Sequence, residues 1–340
     1  MQEEKKEELK VVLSPEEQKM VEDGEEMALF LATLNQMGFL AFLMAVGFVL
    51  VKVRAVPGDC ASLLSKLENN VFVPALVMGT FMTRFTRDSI ENLGQYLLVG
   101  LIVAVIGMLL ASLLGRCFSR ERYIRNIYTY GLAFSNFGFM GNAVVQVLFP
   151  EIFINYLVFT LPFWCGIYLW GVPFLLMPSQ EKKTGIRDWL KPFANPMLAG
   201  MVFGAVIGVC GIPLPDFITK GIGTLGDCMS PVAMLLTGMT IAGIDLKKIF
   251  RNVPVYIASV VRLVMIPLAA IGVLMIFKLE YSLSLCVVCN LAMPLGLSPV
   301  VIPAAYGKDT SDAAGMVLIS SLMSCITIPV IFWVFSVLIH

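Results

Sequence analysis

The chain has 340 residues, of which 58% are hydrophobic and 14% are charged, and its formal net charge is zero. Soluble domains are roughly half apolar and a quarter charged, so this composition excludes an ordinary soluble enzyme and indicates no nucleic-acid partner. The single histidine is His340, which argues against histidine metal sites, catalytic triads and proton relays, and no metal or cofactor is expected. The eight cysteines are scattered, and Cys286 and Cys289 fit apolar packing better than a redox pair.

In chain order, residues 1–26 form a charged tail, and ten apolar stretches follow. Most of them approach or exceed the 20 or so residues that a bilayer-spanning helix needs. The predicted spans are 27–53, 62–83, 94–115, 124–149, 152–177, 193–211, 221–243, 253–277, 283–306 and 312–339. A polar cytoplasmic loop, 178–192, divides the chain into a first five-helix repeat, 27–177, and a second, 193–340.

The two halves resemble each other at an offset of 157 residues. Pro74 corresponds to Pro231 and Thr80 to Thr237, within a shared pattern P-x5-T-x-M-T-x4-D. Because five spans is an odd number, the second half must enter the membrane from the opposite side. We therefore predict two inverted repeats, an arrangement typical of secondary transporters.

The distribution of positive charge predicts the orientation. The loops after the odd-numbered spans carry fourteen lysines and arginines, and the opposite loops carry four. Positively charged loops stay in the cytoplasm, so both termini are predicted to be extracytoplasmic, and the expected location is a bacterial inner membrane.

Spans 4 and 9 are interrupted by polar residues, glycines and prolines near mid-membrane. Proline removes a backbone donor and clashes with the preceding turn, and non-helical backbone at this depth is tolerated only in protein or around a water-filled cavity. The breaks therefore predict a substrate site, although prolines and glycines also simply kink packed helices. The candidate residues are Ser135, Asn136, Gly138, Gly141, Asn142, Asn290, Pro294, Gly296, Ser298 and Pro299.

The predicted substrate is an anion, because the amide ends of broken helices carry partial positive charge and free N–H groups. Charged residues inside spans are functional candidates by default. Arg262 lies well inside span 8 and is expected to face the transport pathway or to pair with a carboxylate such as Asp227, unless it snorkels toward the surface. Thr80 and Thr237 are further coupling or gating candidates. Asp227, Lys66 and Glu68 fit a headgroup position equally well.

With these motifs in view, the sequence resembles the auxin efflux carrier family, which contains plant PIN-type carriers and bacterial organic-acid permeases. The likeness rests on SNFGFMGN in span 4, on NPMLAGMVFGAVIGVCGIPLP and LGDCMSPVAMLLTGMTIAG in spans 6 and 7, and on RLVMIPL and AMPLGLSPVVIPAAYGKD in spans 8 and 9. It covers about residues 30–338.

The resemblance implies ten spans with crossing, broken helices 4 and 9, a fold similar to that of bile-acid sodium symporters, and elevator-like movement. It also implies a homodimer, and it places the crossover at residues 136–138 and 294–296. Plant carriers have a proline where this chain has Phe137-Gly138, and their long cytoplasmic loop is short here, which points to a compact prokaryotic-type permease. A carboxylate, auxin-like or dicarboxylate, is the expected substrate, and the coupling ion, proton or sodium, is left open.

Three other functions are compatible with parts of the sequence. A sodium or proton antiporter usually has acidic residues at its crossing, and none lies beside Asn136 or Pro294. A membrane receptor or sensor can use the same fold to bind a small ligand, but the sequence shows no large soluble segment for signalling. An intramembrane enzyme would need a catalytic motif that the sequence does not show.

Overall fold

The computed structural model of the protein describes residues 15–57, 60–85, 87–177, 196–243 and 251–339. The predicted loop 178–192 and residues 1–14 of the predicted tail lie outside the described residues. The described part is helical and contains no β-strand, only an isolated antiparallel bridge between Ser135 and Leu295. The prediction of an all-helical protein is confirmed.

We number the α-helices in chain order. They are α1 (Pro15–Lys52), α2 (Cys60–Leu67), α3 (Val73–Arg84), α4 (Arg87–Phe118), α5 (Arg122–Ala133), α6 (Asn142–Leu148), α7 (Phe153–Gly166), α8 (Pro196–Cys210), α9 (Asp216–Asp227), α10 (Met229–Ala242), α11 (Val253–Val260), α12 (Ile266–Phe277), α13 (Tyr281–Leu291), α14 (Ser298–Ala305) and α15 (Ser311–Leu338). Wider π-helical segments cover Glu68–Phe72, Phe137–Gly141, Ile167–Leu176 and Val261–Met265, and a 3₁₀ turn covers Pro150–Ile152.

Six helical stretches of the described chain are long and apolar enough to cross a membrane. They are Gly24–Lys52, Leu93–Phe118, Pro150–Leu176, Asp216–Ala242, Val253–Phe277 and Ser311–Leu338. Three shorter apolar stretches accompany them, Phe137–Leu148, Pro196–Cys210 and Tyr281–Leu291. Several of these helices present leucine, isoleucine and valine to the outside, as α4 does over one long face. Lipid is the environment that such a surface requires, so the chain is an integral membrane protein.

The remaining predicted spans differ from a simple apolar helix for identifiable reasons. Predicted span 2 consists of α2, the π-helical segment Glu68–Phe72 and α3 in direct succession, and it carries Lys66 and Glu68. Predicted spans 4 and 9 are interrupted, and predicted span 6 is the 15-residue helix α8. The ten-span inverted architecture therefore stays a prediction.

Close helix packing joins the two halves of the chain. Helix α1 packs along α10, where a Cβ on Gly47 would collide with the Leu235 carbonyl and one on Gly238 with the Met44 carbonyl. Helix α8 packs along α3, and a Cβ on Gly200 would lie 2.6 Å from the Pro74 carbonyl oxygen. Small residues of this kind let membrane helices approach to backbone contact. The four helices therefore form two tightly packed pairs, α1 with α10 and α3 with α8.

Candidate functional site

The two predicted breaks exist and meet each other. Helix α5 ends at Ala133 and helical structure resumes at Phe137, while α13 ends at Leu291 and α14 begins at Ser298. Between them, Ser135 and Leu295 form the antiparallel bridge, and the Asn136 N–H donates to the Pro294 carbonyl at 2.7 Å. Two extended stretches thus satisfy part of each other's backbone where each helix is interrupted.

Side chains hold this crossing together. The Ser135 hydroxyl donates to the Asn290 carbonyl at 2.8 Å, and the Leu295 N–H donates to the Ser320 hydroxyl at 3.1 Å. The Tyr156 hydroxyl donates to the Phe137 carbonyl at 3.2 Å. These bonds compensate polar backbone groups that would otherwise be buried without partners.

Arg262 lies against both breaks and is only 2% exposed. Its Nη1 donates to the Leu132 carbonyl at 2.9 Å, and its Nε donates to the Met293 carbonyl at 3.4 Å. Its Nη2 is buried and has no hydrogen-bond partner among the described residues. Arg262 therefore does not pair with Asp227, and it bonds to backbone at the carboxyl ends of both interrupted helices.

A cavity of about 680 Å³ opens at the crossing. Five of the predicted site residues line it, namely Ser135, Asn136, Gly138, Gly296 and Ser298. The first residues of the resumed helices, among them Phe137, also line it, and the first amides of a helix have no partner within that helix. The cavity wall therefore includes the first turn of each second half-helix. In α14, Pro299 has no N–H and the Val300 N–H donates to the Leu297 carbonyl at 2.9 Å, so Ser298 contributes the amide of this helix end.

Aromatic rings form a second wall of this cavity. Tyr130, Phe134, Phe137, Trp164 and Tyr168 line it. Trp164 stacks on Tyr168 with ring centroids 6.0 Å apart and meets the edge of Phe137 at 5.1 Å. A Cβ on Gly138 would lie 2.6 Å from the Trp164 ring, so the missing side chain there lets the indole approach the break.

A polar wall comes from the beginning of predicted span 2 and from α10. Ser62, Ser65, Lys66 and Asn69 line the cavity on this side, together with Thr240. Lys66 is the one lysine or arginine among the described lining residues, and no aspartate or glutamate accompanies it. The sequence is compatible with a headgroup position or a functional position for Lys66, and its place in the cavity wall makes it a candidate site residue.

The other predicted site residues do not line the cavity. Gly141 packs on the Tyr156 hydroxyl, and Asn142 is buried at the start of α6. Pro294 contributes its carbonyl to the crossing, and Pro299 stands in the first turn of α14. Asn290 is fully buried, and neither its Oδ1 nor its Nδ2 has a hydrogen-bond partner. These residues shape or support the crossing from behind.

A second cavity of about 300 Å³ contains two of the coupling candidates, Thr80 and Asp227. Arg84, which also lines it, donates to the Pro150 carbonyl. Thr83 lines this cavity and Lys66 lines the first, and 17 helical residues separate them, about 25 Å at 1.5 Å per residue. The two cavities therefore lie near opposite ends of predicted span 2.

The threonines of the repeated pattern bond within their own helices. Thr80 donates to the Leu76 carbonyl at 2.9 Å, and its repeat counterpart Thr237 donates to the Ala233 carbonyl at 2.8 Å. Thr237 is buried and lines neither of these cavities. Thr33, Thr83 and Thr240 make the same bond to the carbonyl four residues before them, so it is the ordinary bond of a threonine inside a helix.

Glu68 is fully buried, and neither carboxylate oxygen has a hydrogen-bond partner within the part of the chain that the structure describes. Its carboxylate is therefore enclosed by protein rather than exposed at the surface of the molecule. It lies in the π-helical segment Glu68–Phe72, which packs against α8, α9 and α10. Within the described residues, no group of three or more histidine, cysteine, aspartate or glutamate side chains could hold a metal ion.

Comparison with known proteins identifies relatives that are named as transporters. The family model described as membrane transport protein matches residues 32–332. A relative from Methanothermobacter thermautotrophicus, named "Uncharacterized transporter", is 23% identical over 295 residues, covering 84% of this chain and 93% of the relative. "Uncharacterized transporter YfdV" of Escherichia coli (strain K12) is 22% identical over 291 residues, covering 82% and 88%. The resemblance to the auxin efflux carriers is thereby confirmed, and this chain belongs to the membrane transport protein family.

Proposed function

We propose that the protein carries a small organic anion across a membrane by alternating access at the crossing of its two broken helices. One observation carries this proposal. The large cavity is lined by the amide ends of both resumed helices and by Lys66, and the described lining residues include no acidic side chain. Helix amide ends and a cation both favour a negatively charged ligand.

The shape and composition of the cavity support a carboxylate with an apolar body. Its volume of about 680 Å³ falls in the usual range for small-molecule sites, which combine apolar walls with a few placed polar groups. One cation and an aromatic wall suit a monocarboxylate better than a dicarboxylate, which would leave its second charge against the rings. Asn136 and Ser298 would orient the carboxylate by hydrogen bonds.

The helix packing supports the inverted-repeat architecture. Helix α1 of predicted span 1 packs on α10 of predicted span 7. In the same way, α8 of predicted span 6 packs on α3 of predicted span 2. These pairs correspond to each other under the 157-residue offset. We propose that the four helices form a scaffold, against which the remaining helices carry the crossing in an elevator-like movement. The two cavities near opposite ends of predicted span 2 would be the openings that such a movement alternates between.

Glu68 provides a candidate for coupling. A carboxyl group buried without a partner is stable only in its neutral form or with a bound cation, and this one lies two residues from Lys66 in the cavity wall. We propose that it takes up a proton or sodium ion during the transport cycle.

A homodimer in a bacterial inner membrane is the proposed assembly, by analogy with the family.

Thermal stabilisation of the purified protein tests the anion site. Benzoate, phenylacetate, succinate and malate are compared at matched concentrations, with and without sodium and at two pH values. A ligand that binds only the folded state raises stability by about 2.7 kcal/mol at one hundred times its Kd. We expect the aromatic monocarboxylates to raise the melting temperature and benzylamine, the matched cation, to leave it unchanged. Equal stabilisation by benzylamine, or none by any carboxylate, would contradict the proposal.

Thiol labelling tests the proposed orientation. In a variant without the native cysteines, Lys278→Cys should react with an impermeant maleimide in intact cells, because the charge distribution places Lys278 outside. Lys308→Cys should react only after the membrane is opened. Both lysines are exposed in the structure, so a difference in labelling reports the side of the membrane. The reverse pattern would invert the topology.

A further inference from the structure

We propose that Arg262 sets the sign of the charge that the crossing accepts, by neutralising the carboxyl ends of both interrupted helices. This inference rests on the proposed anion site and identifies what makes that site selective. It assigns Arg262 a positioning and electrostatic role rather than a contact with the substrate, since Arg262 is absent from the cavity lining.

The geometry brings one guanidinium to two helix ends. Arg262 projects from the π-helical turn Val261–Met265, and wider turns of this kind often mark functional positions. Its Nη1 bonds the Leu132 carbonyl at the end of α5, and its Nε bonds the Met293 carbonyl just beyond α13. Lysine, with a single ammonium at the end of a flexible chain, cannot reproduce this planar two-point contact.

The helix dipoles explain why a charge is needed there. Four half-helices converge on the crossing, two by their carboxyl ends and two by their amide ends. Each end carries about half an elementary charge, negative at the carboxyl end and positive at the amide end, so the four ends nearly cancel. The full positive charge of Arg262 is about equal to the two carboxyl ends together. With those ends neutralised, the amide ends determine the potential in the cavity.

The neighbouring charges do not remove this effect. Helices α11 and α12, which flank the turn, carry no charged side chain. Helix α5 contributes Arg122 and Arg125 near its beginning, away from the Leu132 end. Helix α15 contributes Asp312, which accepts a hydrogen bond from Asn252 at 2.6 Å. No acidic side chain of the described residues is bonded to the guanidinium, so its charge acts on the helix ends.

Two substitutions separate the effect of the positive charge of Arg262 from the effect of its two-point contact with the helix ends. Arg262→Gln keeps a hydrogen-bond donor and removes the charge, whereas Arg262→Lys keeps the charge and loses the two-point contact. Benzoate and benzylamine binding to each purified protein is measured together with the melting temperature without ligand. We expect both variants to melt earlier. The preference for benzoate over benzylamine should fall roughly tenfold or more in Arg262→Gln and stay near the wild-type value in Arg262→Lys.

A purely structural role would give the two variants the same preference, and that result would overturn the inference. If Arg262→Gln cannot be purified in a folded state, Arg262→Lys decides alone, because it must keep the benzoate preference although the bridge is lost. A wild-type protein that binds no carboxylate would refute the proposed function itself. A wild-type protein that binds benzoate with a preference unaltered by Arg262→Gln would refute only the role of Arg262.

Discussion

Replacing Asn136 by alanine is expected to weaken benzoate binding by roughly tenfold to a hundredfold, the effect of losing a hydrogen bond to a charged group, about 1.5–3 kcal/mol. Asn136 is 6% exposed and lines the cavity where the two breaks meet. Its N–H, which bonds the Pro294 carbonyl, is retained in the variant. The crossing should therefore persist, and the melting temperature without ligand should change little.

Asn290→Ala is the matched control for this variant. Asn290 has the same side chain and lies in the other interrupted span, but it is fully buried behind the cavity, and its backbone carbonyl already accepts the Ser135 hydroxyl. We expect benzoate affinity to stay within about twofold of wild type, since no direct contact is lost. Equal losses in both variants would mean that the cavity wall is not where the carboxylate binds.

Replacing Lys66 by methionine is expected to lower benzoate affinity by about tenfold. An exposed ion pair contributes up to about 1 kcal/mol, and a charged hydrogen bond shielded from water contributes about 1.5–3 kcal/mol. A lysine on the wall of a half-enclosed cavity lies between these limits. Methionine preserves most of the apolar stem, so the variant removes mainly the charge.

Isothermal titration of the purified variant measures this change, with Lys278→Met as the control. Lys278 is exposed and lies outside both cavities, so its loss alters the net charge equally without touching the site. The salt dependence should also differ, since added salt screens an exposed pair. If the two lysine variants bind benzoate alike, the cavity holds its anion without Lys66.

Some features of the site could be predicted from the sequence and others could not. The breaks were predictable because proline and glycine act on their own backbone, whatever surrounds them. The partners of Arg262 were not predictable, because they are the backbone carbonyls of Leu132 and Met293. Every residue type has such a carbonyl, so the sequence does not show which ones accept a hydrogen bond. A carboxylate was the expected partner of Arg262 because residue types differ only in their side chains, and the side chains that pair with arginine are acidic.

The residues that line the cavity were also only partly predictable from the sequence. Lys66 and Glu68 are two residues apart, yet one faces the cavity and the other is buried against α8, α9 and α10. Position along the chain predicts depth in the membrane and says little about which side of the helix meets a cavity, particularly where a π-helical turn shifts the register. The aromatic wall likewise gathers rings from separate helices, and no single stretch of sequence displays it.

If the two cavities are the openings of the carrier, as proposed above, their unequal charge should give transport different kinetics from its two sides. Among the described lining residues, the larger cavity has Lys66 and no acidic side chain, whereas the smaller one has both Asp227 and Arg84. An anion should therefore half-saturate the protein at a lower concentration from the larger opening than from the smaller one. This difference in affinity cannot drive net flux by itself. At the opening where the anion binds more tightly, it also dissociates more slowly. Flux measured from the two sides should differ in half-saturating concentration and in maximal rate, by factors that compensate.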